Sequence, residues 1–438
     1  MTDDGGRNLG PFEALRGLEF DAPFPNLIPV RQDFDATRLD DVAAATTEAL
    51  EPLRSRVRPG MSVAITAGSR GIHDKPAVVR AAGAWLRSVG AEPFVVPAMG
   101  SHGGATAEGQ LQMLADLGMT EEYLGMPIHA TMETVELDRL PGGPAVHLDA
   151  HAAKADAILA VNRIKAHTDF KGEIESGIAK IIAIGLGKRR GAEGIHAYGP
   201  ANLGVWIPRV ARRIVDTGKV LGGLGIIENA YDRAAQISLL EPEDIAGDGE
   251  ARLLDEAKKS MATLPFDEID VAVIDAMGKN VSGSGMDPNV IGRMMIRGTP
   301  DLPRPRITNI AVLDVTDISH GNVVGLGLAD FIPFRILEKV DLRITYINAM
   351  TAGLGGPQRA QVPMAMATDR SAVAAAMLTC GRAELHGISL VRMRNTLDLE
   401  HLLVSENLRD QVRDHPRLEV TGDPRPMRFD GDGQLEPW

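Results

Sequence analysis

The hydrophobic pattern of the chain alternates between short apolar runs and longer amphipathic segments. Three apolar runs in the first half, MSVAIT, EPFVVPAM and ADAILAV, each lead into a polar loop. The first two are followed by segments with helical spacing, at residues 76–88 and 107–118. Strand–loop–helix units of this length predict parallel strands joined by right-handed crossovers.

The same kind of pattern continues along the chain. Further helices are predicted at 40–53, 201–216, 241–263, 329–337 and 369–378, and further strands at 220–230, 268–277, 307–317 and 340–350. Prolines in the first 36 residues predict an irregular arm, and we expect the polar tail from Asn407 onward to lie over the surface. We therefore predict an α/β fold with mainly parallel sheets in two domains, residues 1–262 and 263–438, and an active-site cleft between them.

Composition and charge narrow the class of protein. The chain has 438 residues, 44% of them hydrophobic and only 4% aromatic, with 47 glycines, which suits an α/β protein better than a β-sandwich. A net charge of −13 argues against a general affinity for nucleic acid or anionic membranes. Cys380 is the single cysteine and the first residues, MTDDGGRN, lack the features of a secretory signal, so we expect a cytoplasmic protein.

Chemically active residues follow the predicted strand ends. Open parallel sheets bind ligands at the carboxyl ends of their strands, where the loops with Arg70, His73 and His102 are expected to share one rim. The segment with His167 also follows a predicted strand. Glycines on both sides of His102 let the backbone and the imidazole approach a ligand closely. Charged neighbours of His167 are suited to tuning a pKa for acid/base catalysis. Both histidines are therefore predicted to be functional.

Residues 162–198 hold further candidates. In the run Ser176-Gly177-x-x-Lys180, backbone N–H groups can meet a phosphate if a helix starts there, and the lysine supplies charge or a nucleophilic amine. His196 is a candidate ligand for a soft metal or a hydrogen-bonding group. The loop with Lys279, GKNVSGSGMDPN, suits anion binding. We interpret the remaining histidines as structural or solvated: His73, His129, His147, His151, His320, His386, His401 and His415.

Taken in order, these residues resemble a known family. The segment GSHGGAT, then His167, the Ser-Gly-x-x-Lys run and a histidine sixteen residues after Lys180 are similar to the nickel-dependent lactate racemase superfamily. The resemblance covers most of the chain and implies a nickel-pincer nucleotide, supplied by cofactor-biosynthesis proteins. Ala67 stands where that family usually has aspartate.

The resemblance also implies a role for each matching residue. His196 would bind nickel, Lys180 would join the cofactor as a thioamide, and His102 and His167 would act as acid/base catalysts. Ser176, Gly177 and Arg70 would contact the cofactor, while Arg70 and Lys279 would bind the substrate. The implied activity is racemisation or epimerisation of a 2-hydroxy acid by reversible hydride transfer.

Two other interpretations remain open at this point. The chain can be a nickel-free α/β enzyme acting on a phosphorylated metabolite, with Lys180, Lys188 and Lys279 as anion ligands. It can also be a non-catalytic protein that binds the cofactor. Nickel content separates the first of these from the racemase interpretation.

Overall fold

The computed structural model describes residues 19–438, which form two compact units. We call Asp35–Met261 the central unit, and residues 19–34 together with Ala262–Trp438 the terminal unit. The strand β1 (Asn26–Gln32) joins the terminal unit because Leu27, Ile28 and Val30 are buried there. The predicted irregular arm is therefore wrong at this strand, and its first 18 residues lie outside the described part of the chain.

The central unit is built from both strands and helices. Its strands are β2 (Ser62–Ala67), β3 (Glu92–Pro97), β4 (Thr134–Arg139), β5 (Ala145–Asp149), β6 (Ala157–Arg163), β7 (Val220–Glu228) and β8 (Ala234–Leu240). Its helices are α1 (Val42–Leu50), α2 (Lys75–Ser88), α3 (Ala107–Asp116), α4 (Glu121–Leu124), α5 (Ala150–Lys154), α6 (Ile178–Lys180), α7 (Lys188–His196), α8 (Leu203–Val215) and α9 (Asp248–Ser260). A π-helical turn at Ile181–Gly185 follows α6.

The main sheet of the central unit has the strand order β3-β2-β6-β7-β8. The first four strands are parallel, as predicted, and β8 returns antiparallel to β7. Such strands are apolar along most of their length because both faces of a parallel sheet are covered. The chain moves from β2 outward to β3 and later enters β6 on the other side of β2. This reversal places a crevice at the carboxyl ends of β2 and β6.

The terminal unit is built on a larger, mixed sheet. Its remaining strands are β9 (Glu268–Ile274), β10 (Arg306–Val312), β11 (Phe331–Pro333), β12 (Met364–Met366), β13 (Leu390–Met393), β14 (His401–Ser405), β15 (Leu418–Val420) and β16 (Arg425–Pro426). Its helices are α10 (Pro288–Ile291), α11 (Arg335–Lys339), α12 (Leu342–Thr351), α13 (Gly356–Arg359), α14 (Asp369–Leu378) and α15 (Arg409–Asp414). The order is β12-β11-β10-β9-β13-β14-β1-β15, and β16 also pairs with β1.

Pairing in this sheet changes character halfway across. Strands from β12 to β13 are parallel, whereas β14, β1, β15 and β16 add antiparallel pairs. Part of the polar tail is thus paired within the sheet, because β15 and β16 both bond to β1. Both units together confirm the predicted α/β class with mostly parallel sheets. Among residues 19–438, no helix combines the length and the apolar content needed to cross a membrane.

Two predicted elements of the terminal unit differ from the structure. The strand expected at 340–350 is wrong, because most of it forms the helix α12, whose first turn is capped by Asp341 accepting a 2.9 Å bond from the Ile344 N–H. Ile347 and Met350 in this helix are exposed, so the apolar run does not mark a buried strand. The helix expected at 329–337 is divided between β11 and α11. The helix expected at 369–378 is confirmed as α14.

Candidate functional site

A pocket of about 230 Å³ opens at the carboxyl ends of β2, β3 and β6 in the central unit. Its walls come from the loops that follow these strands, from the π-helical turn and from the last part of α7. Arg70, His102, His167, Lys180 and His196 all line it. Predicted site residues that are far apart in the sequence therefore meet in one cavity.

His102 lies in a turn that needs glycine beside it. Gly103 has a φ of +67°, and a Cβ there would come within 2.6 Å of the Gly109 carbonyl carbon in α3. The Nδ1 atom of His102 is 2.5 Å from the Ser69 hydroxyl oxygen. Burial in the pocket walls, and next the charge of Arg70, lower the pKa of His102 to about 4, while one side of the residue stays open to solvent. The ring is therefore neutral at pH 7.

His167 is fixed by a hydrogen bond from its backbone and by packing against its ring. Its backbone N–H donates a 2.6 Å hydrogen bond to the carboxylate of Glu175, which also pairs with Lys258 at 2.9 Å. The ring of Phe170 packs on the imidazole with centroids 4.4 Å apart. Only 11% of the His167 side chain is exposed, and this burial, followed by the charge of Lys180, lowers its pKa well below the usual range. The imidazole is thus neutral and fixed in place.

The hydrogen bonds of His167 define its tautomer and the state of Lys180. The backbone N–H of Asp169 donates to Nδ1 at 3.0 Å, so a neutral ring carries its proton on Nε2. Nε2 is 2.6 Å from Lys180 Nζ, which can accept that proton only as an uncharged amine. Burial lowers the pKa of Lys180 to about 8, so the uncharged amine is a minor form at pH 7 and the main form above pH 8. Lys180 therefore presents a nucleophilic nitrogen far more readily than an exposed lysine does.

His196 is the last residue of α7 and has one ring nitrogen fixed by the helix. Its Nδ1 lies 2.7 Å from the carbonyl oxygen of Ala192. A carbonyl only accepts hydrogen bonds, so Nδ1 carries the proton and Nε2 keeps its lone pair. This arrangement is typical of histidines that bind a metal through Nε2.

The residues of the chain offer a metal few other ligands. Within residues 19–438, no group of three or more His, Cys, Asp or Glu side chains is placed to hold a metal ion. Any metal at His196 must therefore bring most of its ligands with it. A single imidazole donor facing a pocket fits a nickel ion already held by an organic cofactor, as the resemblance implies.

Arg70 lies in a loop that is stabilised from below by a buried lysine. Lys75, 1% exposed, donates from Nζ to the carbonyl oxygens of Gly68 at 2.6 Å and Arg70 at 2.8 Å. Burial lowers the pKa of Lys75 to about 7. In the described chain the Arg70 guanidinium forms no salt bridge within 4 Å, which leaves it able to bind an anion.

The start of α6 differs from the expected phosphate site. The backbone N–H of Ala179 donates to the buried carboxylate of Glu250 at 2.9 Å, so the helix end already has its anion. Desolvation raises the pKa of Glu250. A Cβ at Gly177 would lie 2.3 Å from the Glu250 carboxylate, which explains the glycine by packing. Ser176 lines the pocket, whereas Gly177 lies behind its wall against Glu250.

Two lysines proposed as anion ligands have other partners. Lys188 is fully buried and pairs with Asp149 at 3.0 Å, so it is not a surface phosphate ligand. Lys279, in the terminal unit, donates from Nζ to the carbonyl oxygens of Gly283 at 3.0 Å and Val324 at 2.8 Å. It does not line the pocket of the central unit. The phosphorylated-metabolite interpretation therefore loses much of its predicted ligand set.

Several residues that shape the site were not identified from the sequence. Ser69 and Glu250 contact the pocket loops through partners distant in the chain, whereas Lys75 bonds to carbonyl groups of the loop just before it. Ser69 immediately precedes Arg70 in a polar loop after a strand, and this position is the one sequence signal that could have identified it as a site residue. For Lys75 and Glu250 the sequence shows only charged residues near the starts of helices, which are common at such positions.

Comparison with known proteins gives a structural likeness but no match in sequence. No family model matches the chain, and no curated protein matches it significantly. The chain is similar to the structure of the lactate racemase apoprotein from Thermoanaerobacterium thermosaccharolyticum, with a TM-score of 0.45 and 12% sequence identity. The match covers 80% of this chain and 86% of that chain. At 12% identity the likeness concerns the fold alone.

Proposed function

We propose that the protein is a racemase or epimerase of a 2-hydroxy acid that uses a nickel-pincer nucleotide. The observation that supports this most is the convergence of Arg70, His102, His167, Lys180 and His196 on one pocket. The resemblance implies complementary roles for these five residues. Two neutral imidazoles, a lysine with a lowered pKa and an arginine together suit proton transfer and anion binding.

The cofactor would be held by two residues with suitable free electron pairs. Nε2 of His196 would bind the nickel, and the uncharged form of Lys180, which its lowered pKa makes accessible, has the lone pair needed to form an amide-type bond. Ser176 and Arg70 are placed in the pocket wall to contact the remaining polar groups of the cofactor. When bound, a nickel-pincer nucleotide supplies a reversible acceptor for the hydride of the substrate α-carbon.

The two other histidines would act on the oxygen of the substrate hydroxyl. His102 is neutral, and if its Nδ1–H donates to Ser69 its Nε2 has a lone pair that would accept the hydroxyl proton and later return it to the keto oxygen. His167 carries its proton on Nε2, beside Lys180, and would donate a hydrogen bond to the keto oxygen without losing that proton. The proton that leaves the substrate hydroxyl would thus be the one that is restored to it.

Arg70 would orient the substrate through its carboxylate. A guanidinium binds a carboxylate through two parallel hydrogen bonds, which fixes the adjacent α-carbon. The pocket volume of about 230 Å³ suits a small molecule or part of a cofactor. Lys279 as a second substrate contact stays a prediction.

The first experiment is metal analysis and intact mass on protein produced together with the enzymes that make the pincer cofactor. We expect nickel near one per chain, added mass on the peptide with Lys180, and racemisation of a 2-hydroxy acid. A Lys180→Arg variant should lack the added mass. Nickel and added mass without turnover of any 2-hydroxy acid would indicate the non-catalytic binding protein. Protein without nickel or added mass would contradict the proposal.

A further inference from the structure

A buried ion pair lies behind the pocket and contacts the loop of His102. Lys188, the first residue of α7, and Asp149, the last of β5, are both 0% exposed and lie 3.0 Å apart. Lys188 has a φ of +52°, a conformation that side chains other than glycine rarely adopt. Such backbone strain persists where the surrounding contacts impose it. Here the contacts are those of the Lys188 ammonium.

The Lys188 ammonium contacts three groups on different elements. Besides its ion pair with Asp149, it donates hydrogen bonds to the Pro97 carbonyl at the end of β3 and to the Gln110 amide oxygen in α3 at 3.2 Å. Asp149 also accepts the N–H groups of His151 and Ala152 at the start of α5. The lysine therefore joins β3, α3, β5 and α7 at one point, and each partner is distant in the sequence.

Gln110 connects the Lys188 ammonium to the turn that carries His102. Because its Oε1 accepts from Lys188, its Nε2 is directed the other way and donates to the carbonyl oxygens of Gly100 at 3.0 Å and His102 at 3.2 Å. Gln110 is itself 0% exposed. One amide thus bonds to both ends of the turn Gly100–His102, and the ammonium of Lys188 fixes the orientation of that amide.

We propose that Gln110, oriented by the buried Asp149–Lys188 ion pair, is the positioning residue for His102. Gln110 would contact neither substrate nor cofactor. It would act by holding the carbonyl groups of Gly100 and His102, and with them the backbone that carries the imidazole of His102. The same lysine begins α7, the helix that ends in His196, so one buried group is tied to the elements that carry both histidines. The functional meaning of this position rests on the proposed role of His102, whereas the effect on the turn does not.

The test replaces the amide by a side chain of similar length that cannot donate. Gln110→Met removes both bonds to the turn, and Gln112→Met is the matched control because Gln112 lies on the same helix, exposed, and bonds only to Asp116 at 2.8 Å. Hydrogen exchange is measured for the amides of residues 100–106, several of which are bonded within the turn. We expect exchange there to be at least tenfold faster in Gln110→Met, with the control unchanged.

Activity provides a second and separate measurement. In the nickel-loaded enzyme, Gln110→Met should lower kcat by roughly tenfold to a hundredfold with little change in KM, because displacement of a reacting group by about 1 Å has effects of that size. A purely structural role would lower the amount of folded enzyme without changing kcat per folded molecule. If the natural protein has no racemase activity, the proposed function fails while the exchange measurement still decides this inference.

A second variant keeps the test decisive if Gln110→Met does not fold. Gln110→Glu keeps the size of the side chain and an oxygen for Lys188, but as a carboxylate paired with Lys188 it cannot donate to the two carbonyls. Faster exchange confined to residues 100–106 in either variant supports the inference. Unchanged exchange in Gln110→Met would overturn it. Loss of the whole central unit in both variants would also overturn it, since the amide would then stabilise the fold rather than one turn.

Discussion

The two units place similar loops at the ends of parallel strands but use them differently. In the terminal unit, the loop after β9 carries Lys279, whose ammonium bonds to two carbonyl oxygens, and Asn280, which accepts a 2.7 Å bond from the Thr316 hydroxyl. In the central unit, the loops after β2, β3 and β6 carry Arg70, His102 and His167, and these three side chains line a common pocket. Both kinds of loop are polar and rich in glycine.

The difference shows what separates a site from a stable loop. Where polar groups are bonded to one another, the loop is held in shape and its lysine is already occupied. Where several elements direct polar side chains to one cavity, the bonds to neighbours select a tautomer or a charge state and leave reactive atoms facing that cavity. Lys180 and Lys279 illustrate the two cases, since one lies beside an imidazole and the other beside carbonyl groups.

The largest effect is expected from the histidines of the pocket. His102→Ala and His167→Ala should each lower kcat by about 10²- to 10⁴-fold while nickel stays bound, because general acid/base catalysis contributes factors of that size. His196→Ala should instead lose nickel. The measurements are turnover of a 2-hydroxy acid and nickel content, with the exposed His401→Ala on β14 as control. Equal loss of nickel in all three pocket variants would contradict this division of roles.

An intermediate effect is expected for the reactivity of Lys180. Its pKa is lowered to about 8 by burial, so the amine is protonated and unreactive below that pH and becomes nucleophilic above it. Exposed lysines titrate at about 10.4. Competitive acylation of the cofactor-free protein, followed by peptide mass analysis, should therefore show a midpoint for Lys180 about two pH units below that of exposed lysines. A midpoint near that of exposed lysines would mean that the amine is not neutral in the pocket.

The smallest effect concerns the lysine of the terminal unit. Lys279→Met removes the donor to two loop carbonyls and should lower the free energy of unfolding by about 1.5–3 kcal/mol, the range for hydrogen bonds that involve charged groups. Lys339→Met is the control, because its ion pair with Asp314 at 2.8 Å is substantially exposed and contributes about 0–1 kcal/mol. Denaturant unfolding of the two variants tests this order. A larger loss at Lys339 would show that the Lys279 contacts do not stabilise the loop.

Much of the central unit could be predicted because its signals are local. Apolar runs of about six residues followed by polar loops specify parallel strands with loops at one edge, and these loops contain Arg70, His102 and His167. The prediction of 340–350 as a strand failed because a short apolar run fits a strand or a helix equally well. Asp341 as a helix cap was the local signal that distinguished them.

The sequence by itself determined the α/β class, the order of the strand–loop–helix units and the loops that carry the candidate histidines. Only the tertiary structure decided which lysine faces the pocket, which ring nitrogen of His167 carries the proton, and that Glu250 rather than a phosphate caps α6. Hydrophobic periodicity is set within a few neighbouring residues. The partner of a charged group is not, because Ala179 meets Glu250 across 71 positions and Lys188 meets Pro97 across 91. Those contacts exist only once the sheet has brought the strand ends together.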